Sequence, residues 1–197
     1  MFTGIIKETG LIEQINPIPS GYEVTVNVSS ALFDDLSPQA SIALNGKALT
    51  LIDKFNFNDQ LYLRFYLHSE AGFLPNTRVN LERAVRLGEE VSSSLFFGIP
   101  SGKCQLISLT HEADNLIAWQ LIWNHDLVKY LDRKDLICLD GVLLIIKEIN
   151  HNLLFFSIYK ETLTITNLGD RKIGDYLTIE IDPMIKKIAQ ILAKKML

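Results

Sequence analysis

A hairpin signature occurs twice in this chain, 95 residues apart. The first copy, SIALNGKALTLID, spans residues 41–53, and the second, LICLDGVLLIIKE, spans residues 136–148. Each copy places an Asn-Gly or Asp-Gly dipeptide between two apolar runs, which is a strong signal for a two-residue hairpin turn. The chain therefore contains a repeated supersecondary unit, and its fold must accommodate two copies of it.

The same register extends beyond the hairpins. The segments YEVTVNV and IAWQLIW both alternate apolar residues with period two, again 95 residues apart, and MFTGI at the N-terminus is echoed by LFFGI at residues 95–99. Short strands with frequent turn signals predict closed barrels, because closure removes exposed strand edges. We predict an all-β protein of two tandem six-stranded antiparallel Greek-key barrels, formed by residues 1–86 and 87–183, with a C-terminal α-helix over residues 184–197.

The predicted C-terminal helix needs a packing partner. Its apolar residues Ile185, Ile188, Ala189 and Leu192 form one stripe, and lysines cover the remainder. An isolated helix of this length is marginal in water. Two partners fit the pattern equally well: the chain's own second barrel, or another copy of the chain.

Composition and charge narrow the range of functions. The 197 residues carry a net charge of −4 at pH 7, which argues against nucleic acid as a partner. No apolar stretch approaches the roughly 20 residues of a membrane span, and the N-terminus lacks a secretion signal, so we expect a cytoplasmic protein. Cys104 and Cys138 lie in apolar segments and are expected to be buried thiols, with a disulfide as the alternative. The four histidines share no metal-ligand spacing, and we predict no metal site.

Four segments together resemble the riboflavin synthase family: MFTGI, VNLERA, LDG and KETLTITNLGDRKIGDYLTIEIDP. With the repeat, the resemblance covers the whole chain. It implies a homotrimer with two lumazine-binding barrels per chain, in which barrels of neighbouring subunits face each other around two molecules of 6,7-dimethyl-8-ribityllumazine. One molecule gives a four-carbon unit to the other to make riboflavin, with no metal or cofactor. The resemblance also favours self-association of the C-terminal helix.

The resemblance assigns candidate site residues. Ser41 and Asp182 match positions linked to catalysis, although Asp182 precedes Pro183 and could equally serve to end the last strand. The candidate ligand contacts are Gly4, Ile5, Ile6, Ala48, Leu49, Thr50, Gly98, Ile99, Pro100, Lys134, Leu143, Ile145, Ser157, Lys160, Glu161 and Thr162.

The chain departs from the family where protons must be moved. Lys47-Ala48 stands in place of a cysteine pair, and Phe97-Gly98-Ile99 in place of Ser-Gly-His. Leu143 and Ile145 replace hydroxyl residues, and we expect both on the inward face of their barrel. Lys47 is expected in solvent, with a functional amine as the alternative. The first half also lacks a Lys-Glu-Thr segment.

Two functions remain open from the sequence. The first is a protein that binds lumazine or riboflavin with weak or absent synthase activity, because each lost acid or base costs on the order of 10²–10⁴ in rate. The second is a divergent active synthase, because positioning the two substrates can itself contribute about 7–11 kcal/mol. A purely structural role with an emptied pocket is the third possibility.

Overall fold

The computed structural model describes residues 1–29, 31–68, 72–89, 91, 94–96 and 98–195. Within them, antiparallel strands predominate. The strands are β1 (Glu8–Ile18), β2 (Gly21–Val28), β3 (Ser41–Leu44), β4 (Lys47–Phe57), β5 (Gln60–Leu67), β6 (Arg78–Arg83), β7 (Gly102–Ala113), β8 (Leu116–Ile122), β9 (Leu136–Leu139), β10 (Val142–Ile145), β11 (Glu148–Asn150), β12 (Leu153–Tyr159) and β13 (Tyr176–Ile181). The helices are α1 (Lys160–Ile165) and α2 (Pro183–Lys195), with 3₁₀ turns at Ala31–Phe33, Asp126–Tyr130 and Asn167–Asp170.

The first half is a closed six-stranded antiparallel barrel, as predicted. Its strand order is β1-β2-β5-β4-β3-β6. Alternate residues of the strands fill the interior, for example Val24 and Val26 on β2 and Leu63 and Phe65 on β5, all of them fully buried. Because successive side chains of a strand point to opposite faces, this alternation leaves the other residues on the outside of the barrel.

The second half differs from the prediction of another closed six-stranded barrel. It is a seven-stranded sheet in the order β10-β9-β13-β7-β8-β12-β11, here called the second sheet. The counterpart of β4 is split into β10 and β11. At the split, the backbone of Ile146 bonds to Asp135 and Lys134 (3.0 and 2.8 Å), so the ladder is interrupted. Only Ile146 and Lys147 separate β10 from β11, so the two edges of the sheet are adjacent in the chain.

Both hairpins have the turn that their dipeptides predict. Asn45 and Gly46 have φ of 46° and 75°, and Asp140 and Gly141 have φ of 45° and 80°. Two successive residues with positive φ define the type I′ turn that suits the twist of paired strands. The segment IAWQLIW keeps its predicted face, with Trp119, Leu121 and Trp123 buried in the second sheet.

The two halves exchange their leading segments. Phe2 and Phe96 pair through two backbone hydrogen bonds of 2.9 and 2.8 Å. The oxygen of Gly4, from the first half, accepts from Leu143 N on β10, and the oxygen of Gly98, from the second half, accepts from Ala48 N on β4, both at 2.8 Å. This reciprocity is what a tandem duplication predicts, and it ties each hairpin to the other half of the chain.

Helix α2 has one packed side and one exposed side. Ala189 is buried, and Ile185 packs against the core of the second sheet. Its exposed apolar residues are Met184, Ile188, Ile191 and Leu192, between 46% and 67% exposed. The helix therefore packs on its own half and also presents an apolar face to the outside. Within the described residues, no helix has the length and apolar character needed to cross a membrane.

Candidate functional site

The outer face of the second hairpin carries exposed apolar side chains. On β10, Val142 and Leu144 contact the core of the second sheet, and Ile146, just beyond, is fully buried. Leu143 is half-buried on the opposite side, and Ile145 is 62% exposed. The predicted inward placement of Leu143 and Ile145 is therefore wrong. The apolar residues that replace the family's hydroxyls therefore lie on the outer face of the hairpin.

A polar group borders this face. The carboxylate of Glu112, at the end of β7, accepts from Ser157 Oγ on β12 and pairs with the ammonium of Lys147, between β10 and β11. These two contacts lower the pKa of Glu112, the Lys147 hydrogen bond having the larger effect. Lys147 N also donates to Phe155 O at 2.8 Å, which holds the split strand against β12. The sequence pointed to Ser157 alone; Glu112 and Lys147 come from the structure.

The other candidate contacts of the second half surround the same region. Lys134 has a φ of 78° and its backbone bonds to Ile146, so it lies beside the β10–β11 split. Lys160, Glu161 and Thr162 form the first turn of α1, which directly follows β12. Lys160 and Glu161 are exposed, whereas Thr162 is half-buried.

The first hairpin presents a different outer face. Ser41 pairs with Thr50 across β3 and β4, both are exposed, and Ala48 on the same strand face bonds to Gly98. Leu49 points the other way and packs against the core of the first barrel. No helix follows β5 in the described residues of the first half, where α1 follows β12 in the second. Phe97 lies outside the described residues.

The exchanged segments each border a cleft. A cleft of about 620 Å³ is lined in part by Ile5, Arg83 and Arg86, and one of about 200 Å³ in part by Ile99 and Glu180. Arg83 and Arg86 both pair with the carboxylate of Asp35 and lower its pKa to about 2, Arg86 having the larger effect on the pKa. Both arginines of the larger cleft are thus already paired within the chain.

Three more candidates lie on the exchanged segments. Gly4 is buried against Leu143, and Ile6 packs into the core of the second sheet. Pro100 is half-buried just before β7. Leu49 and Ile6 thus point into the cores, and the remaining candidate contacts lie on or near two outer faces, one on each half, each with a segment of the other half beside it.

Two buried glutamates hold the exchanged segments, and the sequence prediction missed them. Glu82 accepts from Thr3 N, Thr3 Oγ1 and Gly4 N at 2.5, 2.8 and 3.0 Å, and Glu180 accepts from Ile99 N at 3.1 Å. Burial raises the pKa of Glu82, against the opposing effect of these hydrogen bonds. The sequence did contain a signal for these residues, since the equivalent segments VNLER (residues 79–83) and LTIEI (residues 177–181) both have a glutamate at the fourth position.

A buried polar network joins the two turns. Asn80 bonds to Asn45, to Asn167 and to the backbone oxygen of Asp140, at 2.7–2.8 Å. The side chain of Asp140 accepts from Thr178 N at 2.8 Å and pairs with Arg171. Burial raises the pKa of Asp140, with Arg171 and Thr178 opposing the effect. Because these contacts hold the turn against its neighbours, Asp140 has a structural role in the second hairpin turn.

The two candidate catalytic residues belong to different halves. Ser41 begins β3 in the first barrel, whereas Asp182 follows β13 in the second sheet. Asp182 Oδ1 accepts from Met184 N at 2.7 Å, the bond of a helix N-cap residue. Asp182 thus has a structural role at the start of α2.

Lys47 and the two cysteines complete the reactive groups. Lys47 is half-buried rather than solvated, at the position equivalent to buried Val142, and burial lowers its pKa, with a smaller effect from Lys103. Cys104 and Cys138 are buried free thiols, as expected. Among the described residues, no three His, Cys, Asp or Glu side chains are grouped to hold a metal ion.

Comparisons with known proteins match this architecture. A family model described as the lumazine binding domain matches residues 98–182. The riboflavin synthase of Actinobacillus pleuropneumoniae is 31% identical over 99% of this chain and 91% of its own length, and that of Brucella abortus is 27% identical over 97% and 98%. The solved structure of LumP complexed with riboflavin superimposes with a TM-score of 0.76 at 22% identity, over 92% of this chain and 99% of LumP. This chain belongs to the riboflavin synthase family.

Proposed function

We propose that this protein binds 6,7-dimethyl-8-ribityllumazine or riboflavin and converts the lumazine weakly or not at all. The observation that carries the proposal is the outward placement of Leu143 and Ile145. A flat heterocycle gains about 25 cal/mol for each Å² of apolar surface that it covers. Side chains of this kind bind a ring, yet they neither give nor accept a proton.

Polar groups beside the apolar face suit the edge of such a ring. A lumazine or flavin ring presents both carbonyl acceptors and an N–H donor. Lys134 and Thr162 supply donors, and the Glu112 carboxylate supplies an acceptor. A pocket with apolar walls and a few fixed polar groups is the usual form of a small-molecule site. LumP, which shares the fold, has been crystallised with the lumazine, with riboflavin and with flavin mononucleotide.

The second candidate function is a divergent active synthase. Ser41 and Asp182 are retained, and the relatives at about 30% identity are riboflavin synthases. Asp182, however, is engaged with Met184 N. The imidazole, thiol and hydroxyls expected from the family are absent from the residues that this chain places at those positions, so we favour binding.

We also propose a homotrimer in the cytoplasm, with no metal or cofactor. The exposed residues of α2, Met184, Ile188, Ile191 and Leu192, give another copy an apolar surface to cover. An apolar helix face that its own chain leaves uncovered is commonly the surface of an oligomer contact.

A binding titration tests the proposal. The polarisation of riboflavin fluorescence, and that of 6,7-dimethyl-8-ribityllumazine, should rise as purified protein is added. Ile145→Asp should weaken binding, and the matched change at an exposed position of the first barrel, Phe57→Asp, should not. Unchanged polarisation with both ligands would refute the proposal and leave only a structural role.

A further inference from the structure

We infer that each chain binds one heterocycle, on the second sheet, and that the outer face of the first barrel no longer binds one. This inference rests on the proposed function and specifies its stoichiometry. It follows from comparing equivalent positions on the two halves, which the duplication allows to be matched residue by residue.

Strand pairing identifies those positions. Tyr66 on β5 pairs with Glu23 on β2, and Ser157 on β12 pairs with Ala118 on β8. Glu23 and Ala118 are 95 residues apart, so Tyr66 and Ser157 are equivalent. All four lie on outer faces, because their strand neighbours are buried or, in the case of Tyr22 and Ile117, pack against the core of their half. The second sheet therefore has two small side chains where the first barrel has a large aromatic ring and a carboxylate.

The first barrel fills this region with contacts of its own. Arg64 lies 3.7 Å from both Glu23 and Asp53, and its guanidinium stands 5.0 Å from the centre of the Phe55 ring. Tyr66 is 49% exposed beside them. A planar ligand would have to displace these groups. At the position equivalent to Arg64, the second sheet has Phe155, which is half-buried and uncharged.

Two further differences favour the second sheet as the half that binds the heterocycle. Helix α1 borders its face, and no described helix takes that place in the first half. Lys147, which pairs with Glu112, has Ile52 as its equivalent on β4. The lumazine-binding domain match at residues 98–182 falls on the same half.

Single occupancy has a consequence for chemistry. The reaction implied by the family joins two lumazine molecules, one of which donates carbon to the other. A chain with one occupied face holds no second reactant in place, and it can react only with a lumazine molecule that meets the bound one transiently. Binding without turnover then follows from the shape of the first barrel as well as from the lost proton-transfer groups.

Isothermal titration of the full chain with riboflavin tests this inference, together with a reciprocal pair of variants. The wild type should bind one riboflavin per chain. Ser157→Tyr, which installs the first barrel's residue, should weaken binding by at least about tenfold. Tyr66→Ser, the reverse change, should leave both affinity and stoichiometry unchanged.

A second variant keeps the inference testable if Ser157→Tyr fails to fold. Ala118→Glu places the first barrel's carboxylate on the same face, and circular dichroism reports whether either variant is folded. Two riboflavins per chain, or a loss of binding in Tyr66→Ser, would overturn the inference and leave the proposed function standing. No binding by the wild type would overturn both.

Discussion

Gly46 and Gly141, the turn glycines of the two hairpins, meet backbone to backbone. A Cβ atom on Gly46 would lie 2.9 Å from Gly141 N, and one on Gly141 would lie 2.7 Å from Gly46 N. Real Cβ atoms do not come this close to backbone, so neither turn accepts a side chain. The two hairpin turns therefore form a single contact between the halves.

Gly141→Ala should therefore destabilise the protein by more than its positive φ alone explains. We expect a loss of about 2–3 kcal/mol in the free energy of unfolding, measured by urea denaturation, of which about 1 kcal/mol is backbone strain. Gly174→Ala is the matched control, since Gly174 has a φ of 101° and open space around it. Equal losses in the two variants would mean that the turns do not press on each other.

Arg171→Met should lower the free energy of unfolding by about 3–5 kcal/mol, because it leaves the buried carboxylate of Asp140 without its cation. Adding Asp140→Asn should recover much of the loss, since Asn45 fills the same turn position in the first hairpin.

The sign of the pH dependence in Arg171→Met follows from the raised pKa of Asp140. When the pKa of a carboxyl group is higher in the folded than in the unfolded protein, the folded protein is most stable with that group protonated. The contribution of Asp140 to the free energy of unfolding should therefore be greatest below about pH 4 and fall as pH rises through the folded pKa, so the deficit of Arg171→Met relative to the wild type should grow over this range. Urea midpoints across this range measure the effect, and a pH-independent deficit would contradict it.

Asp182→Ala should lower stability by about 1 kcal/mol through the loss of the cap on α2. Asp182→Asn keeps an oxygen that accepts from Met184 N, and it should lower the free energy of unfolding by only a few tenths of a kcal/mol. If both variants unfold at the same urea concentration as the wild type, the cap contributes nothing, and the residue is kept for another reason.

The sequence predicted the repeat, the turns and the first barrel because period-two alternation and Asn-Gly or Asp-Gly signals are local. It misplaced Leu143 and Ile145 because residues 142–146 are apolar on both faces of the strand. No alternation of apolar and polar residues therefore indicates which side chains point inward. It misplaced Lys47 for a related reason, since a long side chain occupies a position that is apolar in the other copy. The split between β10 and β11, and the Glu112–Lys147 pair, depend on long-range contacts that no local pattern contains.

Restoring polar groups should raise whatever turnover the chain has. The triple variant Ile99→His, Leu143→Ser and Ile145→Thr returns an imidazole and two hydroxyls, and one effective acid or base contributes about 10²-fold or more. Phe57→Ser, at an exposed position of the first barrel, is the control and should change nothing. A flat response in the triple variant would mean that these side chains do not face the reacting ring.

The fate of bound lumazine tests the central claim most directly. Purified protein in excess is mixed with 6,7-dimethyl-8-ribityllumazine, and samples are separated by chromatography over time beside the Actinobacillus pleuropneumoniae enzyme. We predict that lumazine is bound and recovered intact, with riboflavin forming at least about 100-fold more slowly than in the comparison enzyme. Riboflavin formation at a comparable rate would contradict the account.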